Sequence, residues 1–239
     1  MIVRVVLVGG SIEALLLSIE LSSQYDVTIV ELEAEIGLPV QHPGRILNPS
    51  KLQHYLTTDQ ISFLELKENE DGWGCRWDWV MKHFAAVAAR QNVAFFTRTR
   101  IQSCTEHENT YVLELTSSER TTPTHMVANR VVLMPGQTGS PGGRAHHLAP
   151  SRPPEFPSPE TTEWFGGTVL TGDVDGTTGA DLKLARGDGM TELWWSTSSS
   201  WVPQRGYLEQ CRVHLPSKKS ELSLDSVMSR VRDFFIKFV

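Results

Sequence analysis

The stretch Ile2-Val3-Arg4-Val5-Val6-Leu7-Val8-Gly9-Gly10-Ser11-Ile12-Glu13-Ala14-Leu15, continued to Val27-Thr28-Ile29-Val30-Glu31, decides the fold. Residues 2–8 form a β-branched run, the composition of a buried strand. Two glycines end it. From Ile12 to Leu21 the apolar residues recur at helical spacing. A second β-branched run, Val27 to Val30, stops at an acid. Strand, glycine turn, helix, strand and acid form one βαβ unit.

The order has a chemical meaning. A helix that starts at a glycine turn offers unpaired N–H groups and a partial positive charge to a diphosphate. A carboxylate ending the next strand can accept hydrogen bonds from an adenosine ribose. In the G-x-G-x-x-G register the three positions are Gly9, Ser11 and Ala14, with Gly10 supplying added backbone freedom. Glu31 follows Gly9 at close to the spacing of about 20 residues that this fingerprint requires. The reading is a Rossmann-like site for FAD or NAD(P), and Glu31 disfavours the 2′-phosphate of NADP.

The rest of the chain narrows the class. Its 239 residues carry a formal net charge of −6 and no basic tract, which argues against a nucleic-acid partner. Cys75, Cys104 and Cys211 are far apart and odd in number, so a reducing, cytoplasmic setting is expected. No window holds the roughly 20 apolar residues of a transmembrane helix. The apolar start is broken by Gly9, Gly10, Glu13 and Glu20, unlike a signal peptide. There is no paired metal-ligand spacing, P-loop or G-x-S-x-G elbow, and no catalytic residue is named.

Beyond Glu31, a loop rich in Pro and Gly reaches Arg45, a cation placed to meet phosphate. Residues 49–56 read as a short helix and Ile61 to Leu66 as a strand. Asp71-Gly72 reads as a turn and residues 78–91 as a helix. Strands are expected at 93–97, 100–104, 111–116 and 130–134. The last ends in a second glycine turn at Gly136. Residues 141–159 read as a linker or long connection in which His146-His147 is a solvated pair. Residues 151–239 then form a strand-rich substrate portion with a final amphipathic helix. Trp164, Trp194, Trp195 and Trp201 supply either sheet packing or an apolar ligand wall. The expected class is thus α/β, with a Rossmann-like domain at 1–150 holding a parallel sheet and a β-meander. A partial antiparallel substrate sheet follows at 151–239.

Together these segments resemble the FAD-dependent oxidoreductases of the p-hydroxybenzoate hydroxylase and geranylgeranyl reductase type. The likeness rests on residues 8–15 with Glu31, on Glu35-Ile36-Gly37-Leu38-Pro39-Val40, on Arg76 before the helix at 78–91, and on Val131-Val132-Leu133-Met134-Pro135-Gly136. It implies that Gly9, Gly10, Ser11 and Ala14 serve the diphosphate and Glu31 the ribose. Arg45 and Arg76 would lie near the phosphates or ribityl chain. Ile101 would meet adenine through its backbone, and Gly136 would close the turn beside the cofactor. The implied activity is a monooxygenase or reductase acting on an apolar or aromatic small molecule, and homo-oligomerisation is compatible with it.

Four departures stand against that likeness. Ser11 replaces the middle glycine, Pro135 replaces an acid, and His42 replaces the cysteine common in the reductase loop. The Gly-Asp motif expected after the substrate strands is missing, with Gly172-Asp173 an early candidate. The chain therefore reads as a fragment or a shortened relative. The alternative function is a module binding NAD(P) or only an ADP moiety, or a non-catalytic relative.

Overall fold

The computed structural model describes residues 3–37, 42–135, 145–197 and 201–239. The expected α/β class is observed: a parallel sheet accompanied by antiparallel sheets. The chain forms two compact units, both discontinuous. One comprises Met1–Leu38, Phe84–Ser158 and Arg230–Val239, the other Pro39–His83 and Pro159–Ser229. Composition alone suggests instead one boundary at residue 150.

The first unit is built on β1 (Arg4–Val8), α1 (Ile12–Leu21) and β2 (Asp26–Val30). β1 and β2 run parallel, pairing Val8 with Val30, as a helical crossover requires. Nine of the ten residues of α1 are buried, which explains why its apolar residues surround it rather than form a stripe.

In the second unit, β3 (Arg45–Ile46), β4 (Lys67–Asn69) and β5 (Gly72–Gly74) make a small antiparallel sheet in the order β3-β5-β4. The segment expected as a strand at 61–66 instead begins with the last residues of α2 (Thr58–Phe63) and continues as a turn. Thr57 and Gln60 form a reciprocal capping box that starts this helix. Local capping overrides the weak alternation of Ile61, Phe63 and Glu65. The helix expected at 49–56 is a 3-10 helix over Pro49–His54.

α3 (Trp77–Arg90) contributes residues to both units. β6 (Ala94–Phe96) and β10 (Arg130–Leu133) complete the parallel sheet of the first unit, in the order β10-β1-β2-β6. Between them β7 (Thr99–His107), β8 (Thr110–Ser117) and β9 (His125–Ala128) form the expected meander. One core joins the two sheets: Val6, Val8, Val30, Val131 and Leu133 pack with Ile101, Cys104, Leu113, Leu115 and Met126.

Residues 145–158 are a long connection within the first unit rather than a free linker. They run beside the first unit's strands, with parallel bridges from Pro150 to Cys104 and from Glu155 to Leu133. Phe156 is buried there. Prolines kept the segment from reading as a strand, yet isolated backbone pairings still secure it.

In the second unit, β11 (Thr161–Leu170), β12 (Leu182–Ala185), β13 (Met190–Trp195) and β14 (Glu209–Pro216) form an antiparallel sheet, ordered β12-β13-β11-β14. α4 (Leu224–Phe238) ends the chain and belongs partly to each unit. A buried ionic cluster anchors the second unit. The Glu192 carboxylate accepts the Gly44 N–H at 3.0 Å, Arg186 Nη1 at 2.9 Å and the Trp194 indole N–H at 3.3 Å. Burial pushes the Glu192 pKa up, opposed by those donors. The network satisfies a charge that would otherwise be costly to hold in a core.

Candidate cofactor and substrate sites

The glycine turn in the first unit is closed by its own carboxylate. Gly9 has φ of 112°, open to glycine and strained for other residues. Its N–H donates to the Val30 carbonyl, tying the turn to the end of β2. Gly10 N–H donates to Glu31 Oε2 at 2.5 Å, and Glu33 N–H to Glu31 Oε1 at 3.0 Å. Each carboxylate oxygen thus takes one amide, which fixes the side chain. A Cβ on Gly10 would stand 2.8 Å from Glu31 Oε2 and 2.9 Å from Ile36 Cδ1. The second glycine is therefore required by the approach of Glu31 and Ile36.

Ser11 has a different task from the glycine it replaces. It is the N-cap of α1, in extended conformation, with its hydroxyl accepting the Ala14 N–H at 3.3 Å. Ala14 is completely buried in the first turn. No hydrogen bond within the described residues uses the N–H groups of Ile12 and Glu13. The first turn also carries Glu13, buried and paired with Arg230 at 2.9 Å. Arg230 thereby neutralises an anion that would otherwise repel phosphate.

Glu31 leads directly to Ile101. The Glu31 carbonyl accepts the Thr99 N–H at 2.9 Å, and Ile101 lies two residues further along β7. Residues two apart in a strand share a face. Turn, carboxylate and β7 edge therefore follow one another within the first unit. Gly9, Gly10, Ser11, Ala14 and Glu31 meet at one place.

Arg45 and Arg76 belong to the second unit. Arg45 is a buried strand residue, not a loop cation. It donates to the Asp71 and Lys219 carbonyls, both at 2.6 Å, and burial lowers its pKa against the pull of Asp71 and Asp225. Arg76 pairs with Asp78 at 2.8 Å and covers the Trp79 ring at 4.9 Å. Gly136 lies outside the described residues. Asp173, of the candidate Gly172-Asp173 motif, pairs with Arg205 at 2.8 Å in a 3-10 turn.

The tryptophans divide between the two faces of the second unit's sheet, because neighbours in a strand point opposite ways. Trp164 and Trp194 pack in a core with Leu182, Leu184, Leu215 and Leu222. Trp195 packs with Val169 and Leu193, beside Phe165, Trp201 and Tyr207. A cleft of about 370 Å³ opens there, lined by Phe165, Trp195, Tyr207, Gln210 and Arg212 among others. The Arg212 guanidinium lies 4.7 Å above the Phe165 ring. The cleft is aromatic-walled, with one cation on its wall. Sequence reasoning flagged Trp195 and Trp201 but not Phe165, Tyr207 or Arg212. The signal was register: Phe165, Trp195 and Arg212 are cross-strand partners.

Among the described residues no group of His, Cys, Asp or Glu could hold a metal ion. Among the same residues no helix is long and apolar enough to cross a membrane. All three cysteines are free, and burial pushes the Cys104 thiol up to about 11.

No protein-family model and no curated protein matches the sequence. Solved structures do. A flavoprotein/dehydrogenase from Cytophaga hutchinsonii superposes with a TM-score of 0.60 at 13% identity, over 99% of this chain and 78% of its own. p-Nitrophenol 4-monooxygenase from Pseudomonas putida DLL-E4 gives 0.63 at 11% identity, over 98% and 79%. A geranylgeranyl bacteriochlorophyll reductase-like protein from Thermoplasma acidophilum gives 0.61 at 11% identity, over 99% and 77%. Of other similar structures, including CtdE in complex with FAD, this chain spans 45–62% of the length. At such identities the likeness is one of fold alone.

Proposed function

We propose that this chain is an FAD-dependent oxidoreductase whose first unit holds the ADP half of the cofactor. One observation carries the reading: Glu31, fixed by the Gly10 and Glu33 amides, stands at the turn where the first N–H groups of α1 have no partner among the described residues. These residues fit a nucleoside diphosphate. The amides of Ile12 and Glu13 suit the diphosphate, the Glu31 carboxylate at the end of β2 suits ribose hydroxyls, and Arg230 holds the Glu13 charge in check. FAD, when bound, supplies the two-electron chemistry; the protein binds, orients and shields.

The second unit's cleft supports a flat apolar or aromatic substrate. Phe165, Trp195 and Tyr207 offer ring faces, and Arg212 offers a cation to an acidic or phenolic group. The choice between hydroxylation and reduction rests with that substrate. Free, unpaired cysteines support a reducing, cytoplasmic setting.

A second reading has its own observation. Asp173 is held by Arg205, so the candidate Gly-Asp motif is already occupied, which favours a module that takes only the ADP moiety or NAD. Calorimetric titration of the purified chain with FAD, NAD and ADP separates the two. FAD binding clearly tighter than ADP, with a reducible yellow chromophore, supports the oxidoreductase. Equal affinities for all three support the module, and no binding defeats both.

A further inference from the structure

We infer that residues 145–147 act as an internal stand-in for adenine, covering the edge of Ile101 until the cofactor displaces them. The Ile101 N–H donates to His146 Nδ1 at 3.1 Å, and the Ile101 carbonyl accepts the His147 N–H at 2.8 Å. One residue's backbone thus meets a ring-nitrogen acceptor beside an N–H donor. Adenine offers the same pair, a ring nitrogen next to its N6 amino group.

The segment is clamped where it lies. Arg100 Nε donates to the Ala145 carbonyl at 2.8 Å, and Arg100 Nη2 lies 2.5 Å from His147 Nε2. Further along, Cys104 N–H donates to the Ala149 carbonyl and Ser151 N–H to the Cys104 carbonyl. Burial and the Arg100 charge keep the His146 imidazole neutral, so Nδ1 is free to accept and Nε2 carries the proton. That Nε2 is buried without a hydrogen-bond partner. The ring is therefore incompletely satisfied, and replacing it would leave one fewer buried polar group without a partner.

The position of this edge follows from the chain itself. Gly10 bonds the Glu31 carboxylate, the Glu31 carbonyl bonds Thr99, and Ile101 is two residues on. A nucleoside diphosphate held by the Ile12 and Glu13 amides, with its ribose at Glu31, would direct its base to this stretch of β7. The inference rests on the ADP-binding reading above and adds a regulatory contact to it. Apparent affinity falls by the fraction of molecules whose edge is open.

Titration calorimetry with ADP and with inorganic pyrophosphate tests it, on the wild-type chain, His146→Gly and Arg100→Ala. Both variants should bind ADP about tenfold tighter than wild type, with pyrophosphate affinity unchanged because it lacks a base. ADP added to the wild-type chain should also shift the His146 ring resonances, as the imidazole leaves its buried position. ADP affinities equal to or weaker than wild type in both variants, with unmoved His146 resonances, overturn the stand-in and leave the ADP site intact. No ADP binding by any of the three proteins defeats the ADP-binding reading and this inference with it.

Discussion

Arg230 reaches Glu13 across 217 residues of sequence, closing a 2.9 Å ion pair between α4 and the first turn of α1. Both side chains are largely shielded from water. Removing the arginine leaves a shielded carboxylate unpartnered, which costs more than a surface pair would. Arg230→Met should destabilise the fold by about 3 kcal/mol. Glu13→Gln combined with Arg230→Met should recover much of that loss. Urea unfolding of the two single variants and the double variant reads the coupling.

Glu31 is the second test. Glu31→Ala removes the acceptor of two amides and should cost about 1–3 kcal/mol of stability. ADP affinity should fall at least tenfold with it. Glu31→Gln keeps one acceptor oxygen and should rescue stability in part while still weakening ADP. Paired melting and calorimetric titration separate the two effects.

Gly44 has no space for a side chain. A Cβ there would lie 1.7 Å from the Cys75 carbonyl oxygen, a backbone atom that cannot turn aside. The same residue donates its N–H to Glu192 and accepts from Cys75 N–H. Gly44→Ala should therefore exceed the roughly 1–3 kcal/mol of ordinary overpacking. Loss of the second unit's tryptophan fluorescence signature at reduced urea concentration would register it.

Stability should depend on pH through His146. Its pKa is lowered to about 4 by burial and by Arg100, so the folded chain stays unprotonated there while the unfolded chain takes up a proton. Between about pH 6.5 and pH 4 stability therefore rises with pH, and the contribution is lost as pH falls through the folded value. The full effect is on the order of 3 kcal/mol. Denaturant midpoints measured across this range should flatten in His146→Leu.

Much of the first unit was legible because its signals are local. β-branched runs ending at Gly9 and at Glu31 mark both strands, and α1 and the parallel pairing follow. The meander was readable from the alternation of Tyr111 to Leu115. What the sequence hid depends on distant partners. Arg45 reads as a loop cation because nothing nearby announces Asp71 and Lys219 as its carbonyl acceptors. His146 reads as solvated because its acceptor role depends on Ile101, 45 residues earlier. The helix at Thr58–Phe63 is obscured for the opposite reason: its capping box is local, but Ile61, Phe63 and Glu65 also alternate as a strand would.

Neither compact unit is a continuous length of polypeptide, and this bears on how the molecule comes into being. A ribosome releases the first 38 residues, then 45 that belong elsewhere, before the rest of the first unit emerges. The early hairpin and helix of the second unit must therefore wait for residues 159–229 to find their partners. Both ends of the chain lie in the first unit, so truncation from either side damages that unit before it reaches the second, and a shortened clone would be a poor way to isolate either half.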